Sequence, residues 1–173
     1  MPPRTRDPLL AAVRIMLALA VGILGVVATA LLIGVPAIFV MRVSVMAHIA
    51  TQGTPPDAIW AIMAVMALGA AACVLGIYFF RHLYRIVCSV GEGDAFAPVN
   101  AQRLSAMGWI VVGAHVLGIP LGIIVHWIQS VTENFHAEAA ISPSSILLAL
   151  ILFILARVFR EGTRMRDELE GTV

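Results

Sequence analysis

The sequence predicts an all-α integral membrane protein, a four-helix bundle in which the second and fourth helices extend into the cytoplasm. Three observations predict it. Of 173 residues, 61% are hydrophobic and 12% charged, against about 45–50% and 25% in an ordinary soluble domain. A water-soluble fold of this size has too little interior to hide that much apolar surface. The charges that do occur are gathered between long uncharged stretches, and the arginines favour alternate connections between those stretches.

Crossing the hydrocarbon takes about 20 apolar residues in a helix, because every backbone N–H and C=O must be satisfied within the segment. The first span is read at residues 12–40, around the uncharged run Ile15 to Val40, interrupted late by Pro36. Arg4, Arg6 and the small residues Ala28-Thr29-Ala30 superficially suggest a cleaved leader. The run far exceeds the roughly 7–15 residues of a leader core, so it reads as a retained anchor. The second span covers 58–80. After Phe80, Leu83, Val87 and Val90 keep helical spacing on one face while Arg81, His82 and Arg85 take the other, until Gly91 supplies a helix stop. The connection 81–103 ends at Asn100, expected to cap the next helix, with Val99 stapling against Leu104.

The third span is read at 104–128. The fourth, at 143–160, is uncharged only from Ile141 to Ala156; Arg157 and Arg160 extend it by snorkelling their guanidinium heads outward. Ser142 suits its N-cap and Pro143 its first helical position. In the tail, 161–173, the i,i+4 spacing of Arg157 with Glu161 and of Arg164 with Glu168 marks a solvated helix.

Orientation follows from arginine, since basic residues near span ends stay in the cytoplasm. Of the 11 basic residues, all arginine, only Arg42 falls on the opposite side. Arg4, Arg6 and Arg14 precede the first span; Arg81, Arg85 and Arg103 lie between the second and third; Arg157, Arg160, Arg164 and Arg166 close the chain. Gln129 to Ala140 holds Glu133 and Glu138 and no basic residue. Both termini and the middle connection are therefore expected in the cytoplasm. Trp60 and Trp127 then reach the outer interface and Trp109 the inner one. Close packing is expected through small residues: Gly108, Gly118 and Gly122 on the third span, Gly69 with Cys73 and Ala72 with Gly76 on the second, and Ala18, Gly22, Gly25 and Thr29 on the first.

The chemistry-bearing residues are few. Without lysine there is no Schiff base and no phosphate-loop cation. A net charge of +1 argues against direct nucleic-acid binding. Cys73 and Cys88 sit on one helix ~22 Å apart, too far to bond. His115 falls near the middle of the third span, where an ionisable group is costly. Its functional reading is a proton relay or polar lock; its bland one, the weightier, is a neutral imidazole bonded across the bundle. His48, His126 and His136, with Asp57, Glu133 and Glu138, form a weak metal candidate, because no pair stands at tight ligand spacing. Cys88 and His82 point to opposite sides of their helix, so no activated nucleophile is expected. Neither an enzyme nor a cofactor is expected.

At the middle connection and the tail the chain resembles the bacterial four-span family catalogued as domain of unknown function 2975. The resemblance rests on Gly93-Asp94-Ala95-Phe96, Asn100, Arg103-Leu104 and Gly108, then Ala156, Phe159, Gly162, Arg166, Glu168 and Thr172-Val173. It covers roughly Phe79 to the C-terminus, and the first two spans in layout only. Gly171 departs from the acidic-leucine pair that tends to precede the family's Thr-Val ending. The resemblance implies a multi-pass protein of the bacterial inner membrane with no catalytic residues. Members are often encoded beside small helix-turn-helix regulators, which implies a cytoplasmic partner of that kind.

The expected function is non-enzymatic docking of a soluble cytoplasmic protein, with Arg81, Arg85, Phe96, Arg160, Arg164 and Glu168 as the docking face. The alternative is a conduit for protons or small solutes, or an accessory subunit of a membrane complex, suggested by His115 with Pro36 and Pro120. A homo-oligomer is compatible with either.

Overall fold

The computed structural model describes residues 8–51, 57–94, 96–131 and 143–170, and every regular element among them is helical. The elements are α1 (Pro8–Val40), α2 (Arg42–Thr51), α3 (Ala58–Gly91), α4 (Pro98–Val131) and α5 (Pro143–Glu170). Three helices, α1, α3 and α4, are long and apolar enough to cross a membrane. Only 11%, 17% and 11% of their most apolar windows are buried by protein, so the remaining side chains need an apolar solvent. That is the surface of a membrane protein.

α2 was not expected. Backbone bonds from Met41 N–H to Ala37 C=O and from Val45 N–H to Met41 C=O, each 3.0 Å, carry helical pairing across the break after Val40. Arg42 lies over the Phe39 ring at 5.6 Å, a cation–π contact at the head of α2. Pro36 and Pro120 lie inside continuous helices. α5 begins at Pro143 as read from the sequence, while Ser142 lies outside the described residues.

The chain divides into two compact units. One joins α1 through Ile23, the stretch Gly76–Val112 and α5. Its core is Ile86, Leu104, Met107, Val111, Ala149, Leu152 and Ala156, flanked by Phe79, Leu83, Val112, Phe153 and Phe159. Within this unit the contacts fix helix directions. Phe153 packs on Gly108, and Gly162 packs on Phe96, so α5 runs antiparallel to the first half of α4. Gly91, at the end of α3, meets Leu10 and Arg14 near the start of α1. The starts of α1 and α4 and the ends of α3 and α5 therefore share one end of the unit.

The second unit joins Leu24–Leu75 to Gly113–Ser142. Gly34 faces the Met66 methyl, and Gly69 leaves space for Leu31, whose Cδ1 lies 3.4 Å from where a Cβ would stand. Ala28, Ala58, Ile59, Ala70, Val125 and Ile128 are its buried residues.

The small-residue stripes are corrected in part. Gly69 and Gly108 do admit a neighbouring side chain, but a Cβ at Gly22, Gly25 or Gly118 meets nothing within 4 Å among the described residues. Spacing places glycines on one face of a helix; it does not say that a second helix covers that face.

Candidate functional site

The shared end of the first unit is built from an ordered turn. α3 stops through paired end bonds: Gly93 N–H reaches Val90 C=O at 3.0 Å, and Asp94 N–H reaches Ser89 C=O at 3.0 Å. This is a Schellman closure, and it requires a left-handed residue at its apex. Gly93 takes that position with φ of 86°. Gly91, the stop expected from the sequence, is the last helical residue of α3, and the left-handed position falls two residues later at Gly93.

A second correction concerns Asn100. α4 starts at Pro98, whose fixed φ and missing N–H suit a first helical turn, so Asn100 lies inside that turn and does not cap it. Its side chain, 0% exposed, instead ties two helices. The amide donates to Ser89 Oγ at 2.7 Å, and its oxygen accepts from Arg103 Nη1 at 3.0 Å. Arg103 also donates to the Arg85 carbonyl at 3.2 Å. Val99, expected to staple Leu104, is exposed, while Leu104 is in the core. From α1, Arg14 donates to the Cys88 carbonyl at 3.5 Å.

The turn is then latched to α5. The Phe96 ring stacks on Phe159 with centroids 5.3 Å apart and lies over Gly162, where a Cβ would come within 2.9 Å of it. Thr163, 9% exposed, places its hydroxyl 2.8 Å from the Phe96 carbonyl and 2.9 Å from the Phe159 carbonyl. Arg166 pairs with Asp94 at 2.9 Å. Beside the latch opens a recess of about 510 Å³, lined by Pro98, Ala101, Gln102, Arg160, Glu161, Thr163 and Arg164.

The expected docking residues divide. Arg160, Arg164 and Phe96 come together around latch and recess, with Glu168 one helical turn beyond Arg164. Arg164 is internally paired, to Glu161 at 2.8 Å and Glu168 at 3.4 Å. The sequence reading gave Glu161 to Arg157; the pair formed is with Arg164. Phe96 is 46% exposed, so its ring both anchors the turn and presents an edge. Arg160 has no ion-pair partner among the described residues. Arg81 and Arg85 line a separate groove. The partners that make the latch, Asn100, Ser89, Thr163 and the Asp94–Arg166 pair, were not foreseen as a group.

His82 lies at this end too. Its Nδ1 is buried without a hydrogen-bond partner among the described residues. Burial first, then Arg85, Arg103 and Arg81, push its pKa below the ordinary 6.5, because each disfavours the imidazolium.

His115 is partly buried on α4 in the second unit, and His126 is exposed. The side chain of His48 and all of Glu133, His136 and Glu138 lie outside the described residues. Among the described residues no three His, Cys, Asp or Glu side chains are grouped to hold a metal.

A family model described as "Protein of unknown function (DUF2975)" matches residues 45–173. No curated protein and no solved structure matches the chain.

Proposed function

From the premise that the chain belongs to the DUF2975 family of unknown function, which prescribes no chemistry, we propose that it is a non-enzymatic membrane protein that docks a soluble cytoplasmic partner on the latched end of its first unit. In this reading α1, α3, α4 and α5 cross the bacterial inner membrane as a four-helix bundle. Both termini and the 81–103 connection lie in the cytoplasm, where α3 and α5 extend beyond the lipid. Arginine placement supports the orientation. The fourth crossing is supported by α5 running antiparallel to the first half of α4 and returning to the α3–α4 turn.

The observation that carries the docking reading is Arg160 at the edge of a fixed recess. Its neighbour Arg164 is already neutralised by Glu161 and Glu168, whereas Arg160 is left to meet a carboxylate from outside. The latch removes motion that binding would otherwise have to freeze, and such preorganisation strengthens association. The partner's chemistry is an acidic surface carrying an apolar residue to meet the exposed edge of Phe96. A small helix-turn-helix regulator is the class that the family resemblance implies.

Purification in mild detergent tests it. The native protein should carry a soluble protein at one-to-one stoichiometry that is lost in Arg160→Glu, while membrane extraction of the variant is unchanged. Native protein that carries lipid alone, or a partner indifferent to Arg160→Glu, removes the reading.

A further inference from the structure

Apart from the recess, a second groove of about 380 Å³ opens in the first unit between α1 and α3. Leu17, Ala18 and Val21 line it from α1, and Arg81, Tyr84 and Arg85 from α3. The two sides differ in chemistry. The α1 side bears no polar side chain, while the α3 side offers two guanidinium groups and a phenol. Arg81 and Arg85, at i,i+4, share one helix face about 5–6 Å apart at their Cβ atoms. Neither has a carboxylate partner among the described residues, and neither donates a side-chain hydrogen bond there. Arg103, bonded to the Arg85 carbonyl, adds a third positive charge nearby.

The geometry points to this groove as a binding site for an anionic phospholipid, its phosphate held between Arg81 and Arg85 and the start of its fatty chain laid along Leu17, Ala18 and Val21. Guanidinium groups present paired N–H donors that match phosphate oxygens. Basic pockets between membrane helices on the cytoplasmic side are where anionic head groups lodge. The depth of the floor chooses lipid over a soluble acidic segment: Leu17 to Val21 lie within the first crossing, where fatty chains reach and a soluble protein does not. That placement rests on the topology proposed above. It also separates two roles, with Arg81 and Arg85 facing lipid and Arg160 left for the soluble partner.

Native mass spectrometry of the full chain in detergent, titrated with phosphatidylglycerol or phosphatidylcholine, tests the site. Phosphatidylglycerol should bind in preference. The double variant Arg81→Gln/Arg85→Gln should weaken it about thirty-fold, roughly five-fold for each charge at the membrane surface. Ala18→Phe fills the floor and leaves the charges, and should also abolish the preference; it carries the test if the double variant fails to fold. Arg160→Gln should leave binding unchanged. Equal binding of the two lipids, binding indifferent to Ala18→Phe, equal loss in Arg160→Gln, or displacement by glycerophosphate at equal concentration overturns the site. Release of the protein from membranes by alkaline carbonate sinks the topology itself. A membrane-retained protein whose lipid adducts ignore both substitutions sinks only the groove.

Discussion

Replacing Thr163 by valine isolates the latch between the α3–α4 turn and α5. The side chains are nearly equal in volume, so the change removes a hydroxyl and leaves packing on the α5 face intact. That hydroxyl has one proton for two acceptors, the Phe96 carbonyl at 2.8 Å and the Phe159 carbonyl at 2.9 Å. Phe159 C=O sits four residues back on the same helix and keeps its backbone partner, whereas the Phe96 carbonyl lies in the turn and depends on Thr163. The loss is thus one hydrogen bond, about 0.5–1.5 kcal/mol net, rising to about 1–3 kcal/mol if the carbonyl stays buried and unmet. Phe96 is 46% exposed, so water reaches the carbonyl once the turn lifts, and the expected cost is about 1–2 kcal/mol. It falls on local opening, because the core around Met107 is untouched. Hydrogen exchange in detergent reads it: amides of Asp94, Phe96 and Ala97 should exchange about five- to thirty-fold faster. Amides of Leu104, Met107 and Val111 should not change. Unaltered exchange in the turn would show that the hydroxyl holds nothing, and equal acceleration along α4 would show that no separate latch exists.

Three further substitutions probe the same end. Gly93→Ala forces a side chain into the left-handed region at φ of 86°, and should destabilise by about 1–2 kcal/mol. Gly91→Ala should cost less, since only the flexible head of Arg14 and a Leu10 methyl must give way; detergent melting curves compare the two. Asp94→Asn breaks an exposed pair with Arg166, and should cost at most about 1 kcal/mol, a difference that vanishes in molar salt. His82 has a folded-state pKa below 6.5, so the unfolded chain binds its proton first and stability rises with pH. The contribution of His82 is complete above pH 6.5 and is lost as pH falls toward the depressed value. His82→Gln should flatten that part of the pH–stability curve, and an unchanged slope would contradict the assignment.

The three long apolar helices α1, α3 and α4 were legible because the requirement that writes them, an uncharged stretch long enough to satisfy its own backbone in lipid, is local. The end of α1 follows from the same run, while the end of α3 and the start of α5 were legible from other local signals, a glycine stop and a proline at the first helical position. α2 was missed because its sequence, from Arg42 to Thr51, is neither long nor strongly apolar. Asn100 was misplaced by a sound rule in the wrong competition: a good capping residue yields when proline two positions earlier has already set the first turn. Phe96, Arg160 and Arg164, proposed above as docking residues, stand out in the sequence by charge and an exposed aromatic ring. Their support was not, because Thr163 reaching the Phe96 carbonyl and Asp94 reaching Arg166 join residues about 70 positions apart, and no sequence period reports such a meeting. The signal nearest to it lay in the family resemblance: Asp94, Phe96, Phe159, Gly162 and Arg166, from two separate stretches, are residues that touch.

Docking of a cytoplasmic partner requires the latched end to face the cytoplasm, and thiol accessibility tests that directly. In a Cys73→Ala/Cys88→Ala background, Glu92→Cys and Glu161→Cys should react with a membrane-impermeant maleimide in inverted vesicles and not in intact cells, and Asp57→Cys should show the reverse. Labelling of Glu92→Cys from outside the cell would contradict the orientation. Labelling of Glu92→Cys and Glu161→Cys from opposite sides would contradict the fourth crossing and the docking site with it.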